Sequence, residues 1–112
     1  MGTENVKVVE AFLNALKTKN IADAPIADDL LFADPLMGEG QGAESLRAFV
    51  SGFFAAIKDV RIKRHVTEGE YVATEWEIEG LFSTISIFEL FRVKDGKIVE
   101  FRAYYDPRPV IG

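Results

Sequence analysis

Two acidic residues sit where the sequence is otherwise apolar. Asp34 is the one acidic side chain in LFADPLMG (31–38), and Glu89 stands at the centre of TISIFELFRV (84–93). A carboxyl placed against apolar walls loses the hydration that favours its ionised form. Its proton affinity rises, and it can hold or pass a proton near neutral pH as a general acid or base. Each residue also has a simpler reading. Asp34 precedes Pro35, and Asp in a turn commonly accepts the backbone N–H groups just beyond it. Strand alternation groups Glu89 with Ile85, Ile87 and Phe91, yet Phe88 and Leu90 make the opposite face apolar too. With Phe88 and Leu90 inside, Glu89 would point to solvent. Facing inward, it must be neutral, paired or beside a cavity.

The other chemistry-bearing residues form no motif. Without Cys, the chain offers no disulfide, thiolate metal site or Cys nucleophile. His65 is the single His and alternates with Arg61 and Lys63 on the polar side of its segment, which predicts an exposed side chain and no metal site. Ser45, Ser51, Ser83 and Ser86 lack a G-x-S-x-G setting, and the glycines around Gly38 match no phosphate loop. Tyr104 and Tyr105 fall on opposite faces, so one of them at most reaches a pocket. Asp106 is expected as an exposed strand end beside Pro107.

The elements that must position these groups follow from spacing. Thr3 is placed to cap a helix in which Val6, Val9, Phe12, Leu13 and Leu16 recur at helical intervals, ending near Asn20. Pro25 limits any helix in the next segment. Residues 30–32 read as a brief strand into Asp34, whose direction Pro35 restricts. After a glycine loop, Leu46, Phe49, Val50, Phe53, Phe54 and Ile57 spell a second amphipathic helix. Strands follow over 60–68, 71–79, 84–94 and 97–106, with turns at Gly69, at Gly80 and at the hairpin signal Asp95-Gly96. The tail from Pro107 cannot continue a ladder. Helices followed by an antiparallel meander read as an α+β fold, with a long sheet wrapped around a helix into a cone.

At 112 residues the chain reads as one domain, 1–112, with a core of its own. Nine Phe predict a cavity walled by rings. A net charge of -5 argues against nucleic acid and anionic membranes as partners. No apolar run approaches the roughly 20 residues of a membrane span, and no signal peptide is visible. The expectation is a soluble cytoplasmic protein. Arg61, Lys63, Glu75 and Glu77 charge the outer sheet face and argue against a large apolar docking patch there.

Four stretches, VVEAFLNAL, ADDLLFADPLMG, GAESLRAFVSGFF and FELFRVKDGKIVEFRAYYD, carry a resemblance over nearly the whole chain. It resembles the ketosteroid isomerase and polyketide cyclase (SnoaL-like) group of the nuclear transport factor 2-like superfamily. The resemblance implies a cone-shaped, cystatin-like α+β fold: a curved, mostly antiparallel sheet around the N-terminal helix. It places Asp34 on the isomerase's proton-shuttling acid and Glu89 on a second, protonated acid that hydrogen-bonds the oxyanion. Phe12 falls where the isomerase has an oxyanion-hole Tyr. Phe49, Val72, Trp76 and Ile85 would line the cavity on the same matching, with Phe91, Phe101, Ala103 and Tyr105.

The departures narrow what the resemblance implies. Phe12 has no hydroxyl, and losing one oxyanion donor costs about 2.7–4 kcal/mol in the transition state. Epoxide hydrolases of this fold use Asp-Arg-Asp, but Ile87 stands where the Arg would be. A cyclase with an Asp/His pair would need a pocket His. The reading is therefore proton transfer on an apolar, carbonyl-containing small molecule, as in an isomerase or cyclase, with no metal or organic cofactor. The alternative is a non-catalytic module that binds a hydrophobic ligand or dimerises. A homodimer paired through the sheet is implied by the resemblance.

Overall fold

The apolar stripe of the first helix decides where the core lies. In a computed structural model describing residues 2–111, α1 (Gly2–Thr18) buries Val9, Phe12, Leu13 and Leu16 against the sheet. Thr3 lies within its first turn and is not its cap. The helix ends where Lys19 turns left-handed at φ 64°, and Asn20 N–H reaches back to the Ala15 carbonyl at 2.9 Å. That bond and the Lys19 N–H to the Leu16 carbonyl close the end in the Schellman manner.

A short 3-10 turn (Ile21–Asp23) leads into β1 (Ile26–Asp34), longer than its three apolar residues suggest. The extension is held by β6 (Lys97–Tyr104), with which β1 pairs in parallel through an irregularity between Ile26 and Leu31. β2 (Gly38–Gln41) folds back on β1. Helix α2 (Ala43–Ser51) stops before its apolar stripe does. Gly52 and two Phe residues are poor helix formers, so the chain passes through a 3-10 turn (Phe54–Ala56) into β3 (Ile57–Glu68). β4 (Tyr71–Gly80) and β5 (Thr84–Lys94) complete an antiparallel run, and the tail closes as α3 (Arg108–Ile111).

The six strands run in the order β2-β1-β6-β5-β4-β3, a curved α+β sheet with α1 across its inner face. Asp95 at φ 53° and Gly96 at φ 76° make the β5–β6 hairpin turn. Along β5 the buried residues are Ile85, Ile87, Glu89, Phe91 and Val93, while Phe88 is 48% exposed. Glu89 therefore faces inward.

One irregularity changes a side chain's address. Ile62 pairs with Trp76 but Arg64 with Glu75, so Lys63 is an extra residue in β3. A bulge of this kind turns over everything beyond it. His65, expected outside with Arg61 and Lys63, instead faces inward opposite Thr74.

Candidate active site

A cavity of about 100 Å³ opens between the inner sheet face, α1 and α2. Its walls are mostly rings and aliphatic chains, and its lining includes two carboxyl side chains, Asp34 and Glu89. Phe12, Phe49, Trp76 and Ile85 also line it, with Phe101, Ala103 and Tyr105. Val72 and Phe91, expected on its wall, do not reach it. Both are fully buried elsewhere in the core, and Phe91 packs edge-on against Phe12 at 5.8 Å between ring centres. They stand opposite each other on β4 and β5, outside the cavity's lining.

Asp34 ends β1 at the half-buried rim. Its Oδ1 accepts the N–H groups of Leu36 at 2.7 Å and Met37 at 3.2 Å, so the residue does close the turn beside Pro35. The same oxygen accepts the Tyr105 hydroxyl at 2.7 Å. Three donors converge on Oδ1, and Oδ2 takes none of them. The turn and the phenol thus occupy one oxygen of the carboxyl and leave Oδ2 free of these three donors.

Glu89 is deeper, at 3% exposure. Its Oε1 accepts the indole N–H of Trp76 at 3.2 Å. Burial first, and then the negative charge of Asp34, push its carboxyl up to about 8, while the Trp76 bond works in the opposite direction. Near neutral pH the protonated acid therefore predominates. Burial and the bond to Asp34 likewise hold the Tyr105 phenol above its usual range, so its hydroxyl stays a donor. No sealed polar side-chain atom among the described residues lacks a partner, so Oε2 of Glu89, which makes no such bond, must border the open cavity.

The match to known families can now be stated. Residues 9–101 match the model of the SnoaL-like domain. This chain belongs to the SnoaL-like family. No protein of curated function matches its sequence. The domain is similar in structure to an NTF2-like protein from Cytophaga hutchinsonii, with TM-score 0.83 and 25% identity over 96% of this chain and 95% of that one. It is also similar to an LEH-like epoxide hydrolase from M. tuberculosis (TM-score 0.77, 27% identity, 97% and 87% covered). A SnoaL-like polyketide cyclase from Jannaschia shares the fold at TM-score 0.79 and 18% identity, over 97% and 90%.

Within this SnoaL-like domain, Tyr105 does more than line a wall, because its hydroxyl holds the rim acid. Trp76 likewise bonds the buried acid. The family resemblance implied both rings on the cavity wall without their polar ends. Sequence patterning missed Thr74 and put His65 on the outer face: Thr74 is fully buried and its Oγ1 lies 2.8 Å from His65 Nδ1. The signal for Thr74 was present, since it alternates with Val72 and Trp76. The bulge that reorients His65 leaves no such mark. Among the described residues no group of three His, Asp or Glu converges as a cation site, and no helix is long and apolar enough to cross a membrane.

Proposed function

We propose that this SnoaL-like domain is an acid–base catalyst acting on a small, apolar carbonyl compound, as isomerase or cyclase. The observation that carries the reading is that Asp34 and Glu89 border one apolar cavity with opposite tasks available to them. Oδ2 of Asp34 takes a proton from the carbon next to the carbonyl. The electron pair moves to the carbonyl oxygen, which receives a hydrogen bond from the neutral Glu89 through Oε2–H. Trp76 supports this by occupying Oε1, which leaves the acid's O–H for the cavity. Asp34 then returns the proton at the far carbon of the enolate. Epoxide opening in the Asp-Arg-Asp manner is less well supported, because no Arg, Lys or His lines the cavity among the described residues.

The test is proton exchange in heavy water with a panel of small cyclic β,γ-unsaturated ketones, followed by NMR. Exchange that disappears in Asp34→Asn is the expected result. Equal exchange in both proteins overturns the mechanism. A second reading, ligand binding without chemistry, is favoured by Phe12, which puts a bare ring where a hydroxyl donor would help. It predicts ligand-induced shifts of cavity resonances with no exchange.

A second copy of the chain is the partner we propose. Phe88 and Tyr104 are paired across β5 and β6 on the outer face, 48% and 58% exposed, beside the charged positions of β3 and β4. Sedimentation of wild type against Phe88→Lys checks it: a dimer that becomes monomeric supports the pairing, and an unchanged mass refutes it.

A further inference from the structure

Thr74 and Glu89 are the two buried polar side chains among the described residues, and they are neighbours. They stand directly opposite each other on β4 and β5, and His65 stands directly opposite Thr74 on β3. His65, Thr74 and Glu89 thus form one row across the inner face, at the roughly 4.5–5.5 Å between Cβ atoms usual for opposed residues. The row continues to the protein surface. His65 Nε2 lies 3.1 Å from Oε2 of Glu10 on α1, and the His65 side chain keeps 13% exposure at the sheet's edge strand.

The chemistry of these groups fixes the direction of each bond. A carboxylate oxygen only accepts, so Nε2 carries hydrogen toward Glu10, and Nδ1 of the neutral ring is a bare acceptor. The Thr74 hydroxyl then donates outward to Nδ1. A proton taken up by His65 sits on Nδ1, and both ring nitrogens become donors. Thr74 Oγ1 must now accept, which frees its own hydrogen. A buried hydroxyl hydrogen needs an acceptor, and Glu89 is the next group in the row.

We propose that His65 is a positioning residue for the cavity acid: its charge decides whether the Thr74 hydroxyl donates outward to the imidazole or inward to Glu89. An inward bond favours the ionised carboxylate, so protonating His65 makes Glu89 more acidic. The charged groups around His65 are accounted for. Glu10 faces it from α1 and Glu89 lies behind Thr74 on β5, while its strand neighbours Lys63 and Arg64 pair with Glu77 and Glu75. The inference deepens the proposed function, because it concerns the same acid. Its test reads titration instead of turnover, so the two can fail separately.

The experiment follows the Glu89 carboxyl carbon by NMR against pH in the full chain, assigned with Glu89→Gln, beside the His65 ring signals. Glu89 is expected to show a second inflection where the His65 ring titrates. Thr74→Ser should keep it and Thr74→Val should lose it. An inflection of equal size in Thr74→Val, or none in wild type, overturns the proposal. Should Thr74→Val not fold, the exposed variant Glu10→Gln, which changes the partner of His65 Nε2, serves: the Glu89 inflection must still coincide with the change measured at the His65 ring. An inflection that parts from the ring signals refutes the relay.

Discussion

Trp76 and Glu89 are joined by a hydrogen bond of 3.2 Å between side chains on adjacent strands, both almost fully enclosed. The register offsets them by one inward position: Trp76 lies opposite Ile87, and Glu89 opposite Thr74. The indole therefore reaches diagonally along the sheet to one oxygen of the acid. Because that bond favours the charged form, Trp76→Phe should raise the Glu89 carboxyl further above about 8. Carboxyl-carbon NMR checks the direction; a fall would show that lost packing, which lets water in, outweighs the lost bond.

Glu89 also sets a pH dependence of stability. Its ordinary value is 4.5 and its folded value about 8, so between them the folded chain holds a proton that the unfolded chain has released. The protonated acid's contribution is complete below about 4.5, falls by at most about 1.4 kcal/mol per pH unit as pH rises, and levels off above about 8. Urea unfolding at pH 5, 6.5 and 8.5 should show this decline, and Glu89→Gln should flatten it. A wild-type curve that rises through this window would contradict the burial argument.

Phe12→Tyr offers the cavity the donor it lacks. Phe12 is 3% exposed and lines the same space as Glu89, so a phenolic O–H there can share the oxyanion with the acid. One such donor is worth about 10²–10³ in rate. Exchange at the carbon next to the ketone should rise by up to about 10²-fold at unchanged Asp34 dependence. A slower variant with intact fold would show that the added hydroxyl does not reach the oxygen.

Gly40 has a packing reason to be glycine. A Cβ built there would lie 2.4 Å from the tip of the Phe32 ring, which itself stacks against Phe101 at 6.0 Å. Gly40→Ala must push Phe32 into that stack, and overpacking of this kind costs about 1–3 kcal/mol. Thermal or urea melts measure the loss. The shift would also disturb Phe101 on the cavity wall, so ligand-free NMR spectra should change at cavity residues.

What patterning could read was whatever obeys a constant period. The helical stripe through Phe12 and Leu16, the alternation that buries Glu89 and the Asp95-Gly96 hairpin all follow local rules, and the structure has each in place. Breaks in period were not legible. Nothing in the sequence around Lys63 marks it as the surplus residue that turns His65 inward. The stripe running to Ile57 concealed a helix that ends at Ser51. Asp34 showed the same limit in another form: local rules gave the Asp-Pro turn, whereas the Tyr105 bond depends on chain arriving from the far end.

That separation has a consequence for synthesis. Asp34 and Tyr105 are 71 residues apart, and Phe12 is contributed still earlier, by the opening helix. On a ribosome adding about 5–20 residues per second, the aspartate waits roughly 4–14 s for its phenol to be made. Until then no nascent chain can enclose the hollow, however well its first helix has formed. A chain not yet carried through Tyr105 would thus hold the acid but not the chamber, so occupancy by a greasy ligand would report that synthesis had passed that residue.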